Sequence, residues 1–485
     1  MRLKSFFFLT AICGVVSLCA QNKQLLYDFY EIPQSLMVNP GVKTSEKWHA
    51  GIPGISGLSF QAASSGVTVN DLFANDGIDF TTKVRERVVD GMSRRDDFSV
   101  TNQIEVFNIG FRNRNRPDDY YSLGMYVETD VIVYWPKDLA ILAFEGNGGA
   151  NLGRSFDLGD LNLRGEMINV FHFGVNRKIS NALWIGGRAK IYSSIFQFQS
   201  KGNSGSFTTT RGQDNIYRTS IAADMQLQTS GVEGFLDVLD EDTSGTGGDL
   251  ADLFRKRALF GGNLGLGFDA GFSYQLNPQT TITGSILDVG FVYNSKDIMN
   301  YTLRGSASNE GLTVFLPEDV TSLNNDLWQD LVDEIEEAVP FEENESGYVS
   351  FRPVKAYGSV RYDFGQAEST FSKDCGCAVA VQESRNSDLY RNSVGGQLFM
   401  MKRPRGVQAA LTGFYQRRFG RTLALKTTYT VDKYSLTNIG LGLNLQAGPI
   451  NFYIMGDNLL AYRNVADSHY ASLQFGFNII SWNDN

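Results

Sequence analysis

From residue 472 to residue 480 the chain alternates without a break. Leu473, Phe475, Phe477 and Ile479 fall on one side, and Ser472, Gln474, Gly476 and Asn478 on the other. Successive side chains of an extended strand point to opposite faces, so this period of two predicts a strand with one greasy and one polar face. A strand tilted across a bilayer takes roughly 9 to 11 residues, which matches this segment. The same grammar returns at short intervals upstream. Residues 263–276 place Leu264, Leu266, Phe268, Ala270, Phe272 and Tyr274 on one side; Asn-Pro-Gln marks a turn, and 280–292 resumes the alternation. Further strands are expected at 100–112, 120–134, 164–176, 182–199, 219–229, 349–364, 392–401, 407–417, 423–431, 436–446 and 450–455.

These segments are longer than the usual five or six residues of globular strands, and aromatics gather near their ends, as in Tyr120, Tyr121, Tyr134 and Trp135. A soluble sheet of so many long strands must protect its edges, whereas closing the sheet removes them. The absence of a repeat of 40 to 50 residues argues against a propeller. The fold expected is therefore all-β and transmembrane: a closed antiparallel up-and-down barrel of about 14 strands, with short helices in its loops or lumen. Mean hydropathy of −0.19 agrees, because lipid-facing and lumen-facing residues average out along each strand. No later segment approaches 18 consecutive apolar residues, which leaves helices out as the means of crossing.

The amino terminus opens Met-Arg-Leu-Lys and then runs apolar from Phe6 to Leu18. That is the form of a secretory signal peptide occupying residues 1–20, with cleavage after Ala20. A lipid-bearing Cys19 would need a small residue before it, where Leu18 stands. Residues 21–45 then form a plug or lead-in segment and 46–485 the barrel, and the location expected is the cell outer membrane, among its lipids. The formal net charge of −10 excludes nucleic acid as a partner, since phosphate binding calls for a basic stripe.

Four stretches depart from the strand pattern. Residues 79–92, 136–144 and 325–339 read as helices, the last strongly acidic, and 231–255 reads as a loop rich in Asp, Gly and Ser. Asp240, Asp242, Ser244 and Gly245 imitate the start of a calcium loop, but its twelfth position is Ala251 where Glu is required. Cys375 and Cys377 lack the spacing of a redox pair, and His49, His172 and His469 stand too far apart to complete a zinc site. A local bridge or two partner-facing loop thiols is the reading left for them. His172 alternates toward the polar face, where a hydrogen bond inside the lumen is expected. With no metal, no cofactor and no nucleophile motif such as Gly-x-Ser-x-Gly, the sequence points away from an enzyme.

Five stretches together resemble a domain-of-unknown-function family of Bacteroidota outer-membrane proteins: SLMVNPG at 35–41, the Cys375-Gly-Cys377 pair, KRPRGVQAALTGFYQRRF at 402–419, TYTVDKYSLTNIGLGLNL at 428–445, and DNLLAYRN with SLQFGFNI near the end. That family is similar, loosely, to fatty-acid-transporter barrels and to barrel subunits of the type 9 secretion system. The resemblance implies about 14 strands and an amino-terminal segment folded into or beneath the lumen. By the same resemblance Leu36, Met37, Asn39, Pro40 and Gly41 are candidate plug residues beside a ligand route; the alternative is a rigid turn into the first strand, because Asn-Pro starts turns readily. Two functions follow as expectations: a transporter or channel for small or hydrophobic molecules, or a non-enzymatic barrel subunit that binds other outer-membrane or periplasmic proteins.

Overall fold

The computed structural model describes residues 23–212, 217–235, 246–310, 340–366 and 390–482. In chain order its strands are β1 (Glu46–Gly51), β2 (Leu58–Ser64), β3 (Asp97–Arg112), β4 (Asp119–Tyr134), β5 (Ser155–Asp157), β6 (Leu163–Lys178), β7 (Leu183–Ser200), β8 (Ser204–Arg211), β9 (Tyr217–Ser230), β10 (Asn263–Asn277) and β11 (Thr280–Asn294). They continue as β12 (Ile298–Glu310), β13 (Phe341–Asn344), β14 (Tyr348–Phe351), β15 (Lys355–Gln366), β16 (Tyr390–Arg403), β17 (Gly406–Phe419), β18 (Leu423–Val431), β19 (Asn438–Ala447), β20 (Ile450–Asp457) and β21 (Tyr470–Trp482).

Antiparallel pairing runs β3, β4, β6, β7, β10, β11 and then β15 to β21 in order. β1 and β2 occupy one wall position between β21 and β3, and β14 continues β15 alongside β11. The sheet thus closes on itself as a 14-strand barrel. Closure leaves no unpaired edge to face hydrocarbon. Inward and outward positions alternate as the pattern requires: along β17, Leu411, Tyr415 and Phe419 are exposed while Thr412, Phe414 and Gln416 are buried. Outward Leu266, Phe268, Ile286, Val360, Val394, Leu441 and Ile454 continue the greasy girdle around the wall.

The number of wall strands agrees with the expected one, yet one member differs. Residues 219–229 form β9, which lies outside the wall: it pairs with β8, with β12 and with the last turn of β7. β5 and β13 add to this second sheet, which extends β7 beyond the barrel. An extramembrane sheet with one covered face uses the same period of two, so alternation alone does not separate it from a wall strand. The wall strand absent from the sequence reading is β1–β2. Its two halves are split by Ile-Pro-Gly-Ile-Ser-Gly at 52–57, a detour that breaks the alternation, and β3 bulges opposite it between Glu105 and Phe107.

Helices cover Phe80–Lys83 and Val84–Asp90, and Lys137–Glu145 follows Pro136, in keeping with the reading of those stretches. Within 231–255, read as a loop, the chain instead enters a helix over Thr246–Lys256. The predicted helix at 325–339, the calcium-like residues 240–245 and the pair Cys375 and Cys377 lie outside the described residues. Among the described residues most short turns and both ends of the barrel share one rim; the second sheet, these helices and the tight turn between Arg403 and Gly406 stand at the other.

Candidate luminal site

The barrel interior is filled by the segment that precedes β1. Residues 24–29 and 32–42 are all buried. Leu25, Tyr27, Phe29 and Ile32 are wholly removed from solvent and pack with inward side chains of β15 to β20: Tyr357, Phe399, Met401, Ala410, Ala424, Tyr453 and Met455. The Tyr27 and Tyr357 rings stack 4.8 Å apart at an interplanar angle of 10°.

Wall side chains also reach the segment's backbone carbonyls, which a lumen without secondary-structure partners would leave unpaired. Arg361 Nη1 donates to Asp28 O at 2.9 Å, Gln397 Nε2 to Tyr27 O at 3.1 Å, and Ser285 Oγ to Val38 O at 2.6 Å. Lys426 donates to Tyr27 O and Arg188 to Leu36 O. Gln34 donates to Asn478 Oδ1 at 2.8 Å and to Ser56 O, at the β1–β2 detour, at 2.9 Å. Glu31 receives Arg418 and, at 2.9 Å, Gln416. Asp28 adopts φ +58°, a conformation that non-glycine residues rarely hold, and its carboxylate accepts from Thr283 at 3.1 Å and from Ser359.

The residues singled out from sequence lie in this segment. Leu36 packs with Val42 and Tyr120, and Met37 with Tyr126, Ile168, Val170, Tyr192 and Val292. Asn39 Oδ1 accepts from the Gly41 amide at 2.9 Å while its Nδ2 donates to Phe272 O at 3.1 Å. Asn176 Nδ2 clamps the Pro40 and Val42 carbonyls at 2.7 and 2.8 Å. Three glycines allow this approach. A Cβ on Gly186 would stand 1.9 Å from Pro40 O, one on Gly271 2.2 Å from Asn39 Oδ1, and one on Gly41 2.3 Å from Gly271 O. Asn39, Pro40 and Gly41 therefore form a turn pressed against β7 and β10.

Opposite the greasy wall stands a charged one that sequence reading did not find. Lys190 Nζ lies 2.9 Å from Asp269 and 2.6 Å from Asp288; Lys355 Nζ lies 2.7 Å from Glu128 and 3.0 Å from Asp288. Arg352 reaches Glu128 at 3.2 Å and Glu166, and Arg188 lies 3.3 Å from Asp269. Cations and acids in this cluster balance, as buried charges must. Asp288 holds φ +60° at a bulge in β11 and receives no ladder partner there; its amide donates to Asp269 Oδ1 at 2.8 Å instead. The available signal was a charged residue at an inward position of a long strand, but the pairings join residues from six strands and the β14–β15 link, which no local pattern encodes.

His172 is buried on the inner face beside Tyr126, but its Nδ1 has no protein partner among the described residues, so the expected hydrogen bond is not made there. His49 Nδ1 meets Tyr120 Oη at 2.6 Å and His469 Nδ1 meets Ser64 O at 3.0 Å. Among the described residues no group of His, Cys, Asp and Glu is arranged to hold a metal ion. A cavity of about 30 Å³ separates the segment from the charged wall, lined by Lys23, Met37, Tyr126, Glu128, Lys190 and Lys355 among others, and one of about 80 Å³ lies at the short-turn mouth beside Glu31, Lys43 and Arg418. Spaces of this size hold a few water molecules. Outside the membrane, Lys83 hydrogen-bonds Asp76 at 2.6 Å and holds its carboxyl at about 2, below the usual range.

With this geometry in view, the chain can be set beside known proteins. Residues 40–457 match the model of a family of unknown function, DUF5723. The chain belongs to DUF5723. No curated protein sequence matches it. Among solved structures, the toluene transporter TbuX of Ralstonia pickettii is similar at 9% identity, 92% coverage of both chains and a TM-score of 0.37. A FadL homologue of Pseudomonas aeruginosa is similar at 8% identity, 90% coverage of this chain, 91% of that one and a TM-score of 0.34. The translocator domain of the autotransporter NalP from Neisseria meningitidis is similar at 5% identity, 92% coverage of both and a TM-score of 0.31. The match of DUF5723 begins at Pro40, inside the docked turn, and runs through β20.

Proposed function

We propose that this chain is a gated outer-membrane channel for small molecules, with residues 23–45 as its gate. The observation that carries the reading is that the stopper is the segment preceding β1 and not the wall itself. It joins the wall only at β1, and many of its polar contacts are made by wall side chains to its backbone carbonyls. Behind it the wall is built to be wet: Gln61 Nε2, Gln397 Oε1, Gln474 Nε2 and Thr428 Oγ1 are buried without a protein partner among the described residues. Water would satisfy these groups in an open lumen, whereas a permanent dry core would leave them unpaired at a cost of about 1–3 kcal/mol each.

The test uses Gly186→Val, whose first added carbon strikes the Pro40 carbonyl. Wild-type protein in planar bilayers is expected to be almost silent, and the variant to conduct and to admit small solutes into liposomes. A folded variant as tight as wild type would end the reading.

The alternative is a non-transporting subunit of an outer-membrane assembly, for which the filled lumen and the second sheet around β9 speak. It predicts that partners copurify in fixed stoichiometry and that Gly186→Val releases them without opening a pore.

A further inference from the structure

Among the described residues the two rims differ in charge. Although the chain as a whole is acidic, Lys47, Arg114, Arg116, Arg177, Lys178 and Arg417 gather at the rim that carries the short turns. Among the described residues the acids of that rim are engaged, exposed Asp118 excepted. Asp119 is held by Arg177 at 2.6 and 2.9 Å, Asp363 faces Arg361 at 2.8 Å, and Glu46 is buried beside His49. Among the described residues, Lys47, Arg114, Arg116 and Lys178 make no ion pair. The turn bearing two of them is shaped without their side chains: Asn113 Oδ1 accepts the Asn115 and Arg116 amides at 2.9 and 3.3 Å, and Arg112 Nη1 donates to Pro117 O at 2.8 Å. Arg114 and Arg116 are left exposed.

Their setting is that of a membrane interface. Arg177 shares the outward face of β6 with Phe173, and Arg417 that of β17 with Leu411 and Tyr415. Lys47 adjoins exposed Trp48, and exposed Phe111, Tyr274, Tyr362 and Phe419 surround the same end of the barrel. Aromatic side chains of this kind settle at headgroup depth, and basic residues there attract anionic lipid. Arg114 and Arg116 stand in the turn beyond the wall, but Arg417 continues a lipid-facing row and Lys47 adjoins Trp48, which brings the charge beside lipid as well as below the barrel.

We infer that the short-turn rim is a binding surface for anionic phospholipid headgroups of the adjoining leaflet. The cations supply charge and the aromatic ring sets the depth. The surface is separate from the lumen and does not depend on whether the barrel conducts.

The test is native mass spectrometry of the full chain from mixed phosphatidylglycerol and phosphatidylethanolamine micelles. Wild type is expected to retain phosphatidylglycerol several-fold over phosphatidylethanolamine, since each basic residue near an anionic surface is worth roughly fivefold. The combined variant K47Q, R114Q, R116Q and K178Q is expected to lose most of that preference while keeping its heat-modifiable gel mobility as a sign of intact fold. A control, K201Q with R211Q at the opposite rim, is expected to change nothing. Equal retention of the two lipids by wild type, a preference untouched in the combined variant, or one lost equally in the control would overturn the inference. So would release of an acidic periplasmic protein by the combined variant with its lipid preference intact.

Discussion

The segment inside the barrel meets two walls of opposite character. On the side of β15 to β20 Tyr27, Phe29 and Ile32 pack against Tyr357, Phe399 and Met455, contacts that are non-directional and tolerate small slips, and Arg361, Gln397 and Lys426 donate to the segment's carbonyls among them. On the side of β4, β6, β7, β10 and β11 it faces charges already satisfied by one another, touching them through the carbonyls of Leu36 and Met37, while the Met37 side chain packs in a smaller apolar patch with Tyr126, Ile168 and Val292. The difference teaches that holding the wall in shape and holding the segment in place are separate tasks. Ion pairs fix strand positions with directional geometry, while apolar burial, aided by hydrogen bonds to its carbonyls, holds the segment.

The largest effect is expected on the charged side. Arg352→Met leaves Glu128 and Glu166 short of a buried counter-charge and should lower the stability of the whole barrel by about 3–5 kcal/mol, read from urea unfolding followed by heat-modifiable mobility. Phe29→Ala opens a cavity on the greasy side and should destabilise by about 3 kcal/mol; more tellingly, it should loosen the segment, raising hydrogen exchange across 24–38 with little change in the wall strands. Should Arg352→Met free the segment and Phe29→Ala spare it, the division of labour between the walls is reversed. The smallest effect lies outside the lumen, where neither wall acts. Asp76 is held at about 2 by its bond to Lys83, so the contribution of that bond is present above the ordinary carboxyl value near 3.8 and is lost as pH falls through about 2. Exchange protection of residues 80–90 should therefore persist to about pH 4 and fade toward pH 2, with the lumen unaffected.

Most of the wall was legible because its physics is local. Each strand must show lipid one face and the lumen the other, so residues 263–276 or 407–417 declare themselves. The β1–β2 position escaped because Pro53 and two glycines turn the backbone out of phase where it bulges. The β9 segment misled because Ile221 and Ala223 alternate toward an extramembrane core with Val88 and Phe156, and a greasy face reads alike whether it meets lipid or protein. The Asn39-Pro40-Gly41 element was visible as a turn, but its fit depends on Gly186 and Gly271, far along the chain and marked by nothing but the lack of a side chain. The charged wall was the least legible, because Glu128, Lys190, Asp288 and Lys355 acquire meaning only when distant strands converge.

β7 is a single strand of 18 residues that belongs to both sheets. Arg188 and Lys190 sit on its inner stretch, and residues 197–200 pair with β9 outside. Between them Ile195 is the unpaired residue where its register with β6 shifts, and its carbonyl is gripped by Arg257. The two sheets thus share one covalent backbone, and the bulge at Ile195 is where it changes partners. Because the extra residue is absorbed at Ile195, the outer sheet can take its own course while the β6–β7 ladder below keeps the register that sets Lys190 against its acids.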